Sequence, residues 1–126
     1  MADWVEISRS SLNAAASLAS EHPRSSVSRS YYAAYAAATA VLHRAKMKMP
    51  VDRESPPHHG LGSRLSDGLG KGASVSRARE VRKYMSVLYK YRLAADYSAR
   101  ETVDGRTARD ALRLAGALLR RCEVQW

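Results

Sequence analysis

Arg92-Leu-Ala-Ala-Asp96-Tyr97 sets a guanidinium, a carboxylate and a phenol within two turns of an amphipathic segment. The apolar positions Val81, Tyr84, Met85, Leu88, Tyr91 and Ala95 recur at spacings of three and four, the period of a helix that buries one face. Arg92 falls on the same stripe. A cation there must be paired or must line a cleft, because an unpaired buried charge is costly. Asp96 is one turn later and can pair with it. Two readings stand side by side: a phosphate-binding arginine steadied by a carboxylate, or a structural ion pair that fixes the helix.

The second cluster of chemistry is Arg29 followed by Tyr31, Tyr32 and Tyr35. Tyrosines can stack a base or ribose, and Arg29 can contact a phosphate. The surrounding alanines make the segment apolar nearly all round, so at least two of the three rings are expected in a core. His58-His59, beside two prolines, resembles a metal site only in residue type. Adjacent histidines diverge, and no third ligand stands at metal-ligand spacing, so no metal site and no cofactor are expected. The default for His59 is a hydrogen bond from loop to core. Cys122 lies on an apolar stripe and reads as a core residue. The runs Gly60-Leu-Gly-Ser and Gly68-Leu-Gly-Lys71-Gly lack the preceding strand of a phosphate loop. No Ser-His-Asp or paired-carboxylate set can be assembled.

These groups need elements to position them, and the pattern is all-α. Phenylalanine is absent and β-branched residues are isolated. A first helix is predicted over 3–20, capped by Asp3, with Trp4, Ile7, Leu12, Ala15, Leu18 and Ala19 as its stripe and His22-Pro23 as its stop. A second runs over 26–47, capped by Ser25 or Ser26, and should be central. Residues 48–76 form an irregular connection marked by Pro50, Pro56, Pro57 and five glycines, with a short helix at 61–69. Helices follow over 76–96 and 107–123. Asp104 caps the last, and Ala108, Ala111, Leu112, Ala115, Leu118, Leu119 and Cys122 form its stripe. Four long helices with short joins argue an up-down-up-down bundle, and 126 residues suit one domain, 1–126.

The formal charge of +9 favours polyanions: RNA, DNA, nucleotides or an acidic protein. Arg106, Arg109, Arg113, Arg120 and Arg121 concentrate part of it on the last helix. A single cysteine excludes an internal disulfide, which fits the cytoplasm. The start Met-Ala-Asp-Trp-Val-Glu lacks a signal peptide's basic and apolar regions. No apolar run approaches the ~18 residues of a membrane span.

Ser28-Arg29-Ser30-Tyr31-Tyr32-Ala33-Ala34-Tyr35, His59-Gly60-Leu61 and Leu88-Tyr89-Lys90-Tyr91-Arg92-Leu93-Ala94-Ala95-Asp96-Tyr97 occur in an order that resembles the HEPN family (higher eukaryotes and prokaryotes nucleotide-binding domain). The resemblance covers nearly the whole chain. It implies an antiparallel bundle of four to five helices, commonly a homodimer. Members are often paired with a small nucleotidyltransferase as a toxin–antitoxin module. Many are metal-independent endoribonucleases with an Arg-x4–6-His motif. The arginine stabilises phosphate charge while the imidazole moves a proton, as the RNA 2′-hydroxyl attacks and a cyclic phosphate is left.

The chain departs from that motif: no histidine follows Arg92, and Tyr97 stands in the place. A phenol, with an ordinary pKa of about 10, is a poor base at neutral pH. The expected site is a cleft between the second and fourth helices. Arg29, Tyr32, Tyr35 and Arg92 would bind nucleotide or phosphate. Arg92, Asp96, Tyr97 and His59 would form the catalytic set, with His58, or a histidine from a dimer mate, as other proton carriers. The competing expectation is a non-catalytic helical dimer that holds a nucleotidyltransferase.

Overall fold

The computed structural model describes residues 3–47, 49, 55–70 and 74–124. Five helices follow in order: α1 (Trp4–Leu18), α2 (Pro23–Arg44), α3 (Leu61–Leu69), α4 (Val75–Tyr97) and α5 (Gly105–Arg121). No strand occurs among the described residues. Pro50 and the Lys71-Gly72 end of the glycine run lie outside them.

Caps fix where three of the long helices begin. Asp3 accepts the Glu6 N–H at 2.8 Å, Ser74 accepts that of Arg77 at 3.0 Å, and Asp104 accepts that of Thr107 at 3.0 Å. The start of α2 corrects the sequence reading. Pro23 opens that helix and does not merely stop the one before it. Proline's fixed φ and missing N–H suit the first helical position, so Ser26 lies inside α2 and is wholly buried.

Serines and alanines let α1 and α2 approach closely. Ser8 donates to the Ala33 carbonyl at 2.8 Å and Ser26 to that of Ala15 at 2.7 Å, so the two helices run antiparallel. This also corrects the predicted stripe of α1. Ser8 and Ser11 are buried while Ile7 is 37% exposed. A hydroxyl that finds a carbonyl can occupy a tight helix contact.

Cross-contacts give the remaining directions. Tyr91 on α4 reaches Asp110 on α5 at 2.6 Å, and Arg77 at the other end of α4 reaches the Arg121 carbonyl at 2.9 Å. These two helices are therefore antiparallel. Arg44 at the end of α2 donates to the Cys122 carbonyl at 2.8 Å, so α2 and α5 run the same way. The four long helices form the expected up-down-up-down bundle.

α2 packs against all four others and holds the centre. Leu12, Val27, Tyr31, Leu42, Leu65, Leu88, Leu118 and Leu119 are fully buried around it. Each such leucine contributes about 1.5–3 kcal/mol of burial. α5 is covered more widely than its predicted stripe, because Leu114, Gly116 and Ala117 are buried too. Cys122 is a core residue, and burial pushes its thiol pKa up to about 12. No described helix is long and apolar enough to cross a membrane.

α3 is short and leans on its neighbours. Gly62 faces α4 so closely that a Cβ there would sit 3.3 Å from the Arg82 backbone. Gly60, just before α3, adopts φ +71°, a left-handed turn that glycine adopts at little cost. Just before this turn, His58 packs against α2 and α4.

Candidate functional site

The last two turns of α4 lie against the first half of α2, and their side chains meet at Arg92. Its Nη2 donates to the Tyr32 hydroxyl and to the Tyr97 hydroxyl, each at 3.2 Å. The guanidinium carbon lies 5.5 Å from the ring centres of Tyr31 and Tyr32 and 5.4 Å from that of Tyr97. These are cation–π distances. On the outer side Arg29 covers Tyr32 at 5.1 Å. Arg29, Tyr32, Arg92 and Tyr97 thus alternate as cation, ring, cation, ring.

Asp96 completes the group. Its Oδ2 is 3.4 Å from Arg92 Nε and accepts the Ser28 hydroxyl at 3.2 Å. The ion pair lacks hydrogen-bond alignment, and Arg92 Nε is buried with no hydrogen-bond partner among the described residues. The attraction is therefore Coulombic, and the side chains are 12% and 28% exposed. Burial opposes the charge on Arg92. Tyr32, Tyr97, Tyr31 and Asp96 outweigh it and hold the guanidinium pKa above its ordinary value. Arg92 stays charged at any physiological pH.

The predicted residues separate into those that meet and those that do not. Arg29, Tyr32, Arg92, Asp96 and Tyr97 come together at the α2–α4 seam. Tyr97 is 71% exposed, so the outer edge of the cluster faces solvent. Tyr35 is buried, and its hydroxyl donates to the Pro56 carbonyl. Its role in the structure is to fasten the loop to the core. Tyr31 is also buried, which raises its phenol pKa against the opposing pull of Arg92.

His58 makes the loop-to-core bond that was expected of His59. Its Nδ1 lies 2.6 Å from the Tyr31 hydroxyl, inside a box of Tyr31, Tyr32, Tyr35 and Tyr89. His59 is exposed on the next position and lines a neighbouring cavity. Arg92 and His58 both contact the rings of Tyr31 and Tyr32, so an imidazole shares two rings with the arginine, from a different element than a helix motif supplies.

Two contributors carry no readable signal in the sequence. Ser28 reaches Asp96 across 68 positions. Arg24 donates to the carbonyls of Ala94, Ala95 and Ser98 at 3.0, 3.0 and 2.8 Å, and to that of Glu101 at 2.6 Å. It caps the open end of α4 and so fixes the turn that bears Asp96 and Tyr97. No group of three His, Cys, Asp or Glu that could hold a metal ion occurs among the described residues.

The family model of the HEPN domain matches residues 1–125. No curated protein matches the chain. No solved structure matches it.

Proposed function

The chain belongs to the HEPN domain family, and on that premise we propose that it binds RNA through the α2–α4 seam as one half of a toxin–antitoxin pair. The observation that carries this reading is the alternation of Arg29, Tyr32, Arg92 and Tyr97. Guanidinium groups supply charge for phosphates, and rings supply faces for bases. The formal charge of +9 supports a polyanionic ligand. The proposed working form is a homodimer whose partner is a small nucleotidyltransferase, as the family resemblance implies, and the single cysteine fits a cytoplasmic setting.

If the protein cleaves RNA, it does so without metal and with a divergent site. Arg92 stabilises charge on the phosphate and Asp96 steadies Arg92. His58 or His59, or Tyr97, handles the proton. The 2′-hydroxyl oxygen attacks phosphorus, the bond to the 5′-oxygen breaks, and that oxygen leaves with a proton. The products are a cyclic phosphate and a free 5′-hydroxyl.

One observation favours the second reading, a non-catalytic partner. Asp96 already balances Arg92, and a phenol occupies the position where the family's ribonucleases carry histidine. RNA incubated with purified protein in excess chelator separates the two, with Arg92→Ala and Arg29→Ala as comparisons. Cleavage lost in Arg92→Ala establishes the ribonuclease. RNA that binds and stays intact, with affinity reduced in Arg29→Ala, establishes the binding partner. RNA that neither binds nor breaks refutes the RNA reading.

A further inference from the structure

Beside His58, on a side that Arg92 does not line, a cavity of about 270 Å³ opens between the loop, the start of α3 and α4. One wall is aromatic. The rings of His58 and Tyr89 are nearly parallel, 18° apart, with centres 6.5 Å from each other. Tyr31 adjoins both, at 5.6 Å from His58 and 5.8 Å from Tyr89. The other wall is polar: Arg82 and His59 stand exposed at the mouth, with the Ser86 hydroxyl beside them. Arg82 has no ion pair among the described residues. The cavity thus sets flat aromatic surface against uncommitted positive charge.

We propose that this cavity is a subsite for one unstacked nucleotide of single-stranded RNA, with the base against Tyr89 and His58 and the phosphate held by Arg82 and His59. The proposal rests on the RNA reading and adds a substrate class to it. Three observations carry it. The volume is just below the ~300 Å³ at which sites for drug-sized ligands begin, room for one nucleotide-sized unit. A base inside a duplex is paired and stacked and cannot reach a ring in a recess, whereas a single-stranded base can. Finally, Arg82, Ser86, Tyr89, Arg92 and Asp96 succeed one another at helical spacing on α4. The cavity therefore continues into the Arg92 cluster along one helix face of about 21 Å. That is the length of a few nucleotides in an extended strand, with Tyr31 packed between the two parts.

The test is competition binding on the full chain. The probe is a short labelled single-stranded RNA, the competitors are its blunt duplex and free AMP, and the variants are Ser86→Phe and Arg82→Ala. Ser86→Phe fills the cavity and Arg82→Ala removes its charge. Both positions are exposed, so melting curves should match wild type. Single strands should bind at least about tenfold tighter than duplex. Each variant should weaken binding about tenfold, the usual scale for losing a charged contact or a stacking site. Lys90→Ala, an exposed charge loss on the same helix, should change affinity little.

Wild-type affinity in both variants would overturn the subsite while leaving the RNA reading intact. Duplex binding as tight as single-strand binding would overturn it equally. Binding of AMP but not RNA, lost in Arg82→Ala, would overturn the proposal together with the RNA reading and leave the cavity as a free-nucleotide site. No binding of either probe refutes both. If Ser86→Phe unfolds, Arg82→Ala decides alone.

Discussion

Replacing Arg92 with alanine tests whether the cluster is built around its guanidinium. The two hydrogen bonds to tyrosine hydroxyls are long at 3.2 Å, which puts each near 0.5–1 kcal/mol. Contact with three ring faces adds about 1 kcal/mol in this half-buried setting. The Asp96 pair, one turn apart, adds about 0.3–0.5 kcal/mol. Arg92→Ala should therefore cost about 2.3–3.5 kcal/mol. For a domain of this size that lowers the melting temperature by roughly 9–14 °C. Arg92→Lys restores the charge near Asp96 and the rings but cannot reach both hydroxyls from one planar group. It should recover about half the loss. Thermal melts followed by circular dichroism in moderate salt would measure both variants. A melting point for Arg92→Ala within about 2 °C of wild type would sink the premise that Arg92 organises the seam. A lysine variant as stable as wild type would show that charge alone matters and that the two-hydroxyl geometry does not.

Two further outcomes follow from neighbouring contacts. Arg24→Ala removes four hydrogen bonds to carbonyls at the end of α4. It should cost about 2–4 kcal/mol, with amide exchange accelerating first at residues 94–101; uniform exchange across the chain would contradict the capping role. Asp110 has its carboxyl pKa held low, first by the Tyr91 hydroxyl and then by Arg113. A depressed folded pKa gives stability that is present above the ordinary carboxylate value, about 4, and is lost as pH falls through the lower folded value. Tyr91→Phe should flatten that acid limb in urea melts across the low-pH range, and an unchanged limb would exclude the bond as its source.

Much of the architecture was legible because helices announce themselves through caps and period. Asp3 and Asp104 cap where they were predicted to, and Leu61–Leu69 is helical with the predicted bounds. The start of α2 was misplaced because Pro23 reads equally as a stop and as a first residue, and only the packing of Ser26 decides. The stripe of α1 held at Leu12, Ala15 and Ala19 but missed Ser8 and Ser11 in place of Ile7, because hydrophobicity alone cannot show that Ser8 will find the Ala33 carbonyl. Within the site, Arg92, Asp96 and Tyr97 were legible because one helix period carries all three. Choosing between His58 and His59 was not possible from sequence. Neighbouring side chains point apart, and which one turns inward depends on Gly60's left-handed turn and on where Tyr31 waits. Ser28 and Arg24 act across the fold, with nothing local to mark them.

The tyrosines show how one residue type divides between scaffold and site. Tyr35 donates to a carbonyl and Tyr91 to a carboxylate, so their protons are committed within the protein. Tyr32 and Tyr97 instead accept from Arg92. A phenol that accepts from a guanidinium still has its own proton to donate. Arg92 therefore orders two hydroxyls whose protons point away from the cation, and its charge strengthens both as donors. Donors gathered around a fixed positive charge suit an incoming phosphate oxygen, with the Tyr97 ring exposed beside it for a base. Asp96 limits the effect, since its negative charge lies beside Arg92 at the exposed edge near Ser28. This arrangement suits an anion, the ligand proposed for the seam, and its phenols, ordinarily weak bases at neutral pH, are better placed to donate hydrogen bonds than to take up a proton. For the proposed catalysis an imidazole from outside α4 is a better proton carrier than Tyr97, and within this chain the loop before α3 is where the structure brings histidine to the same rings.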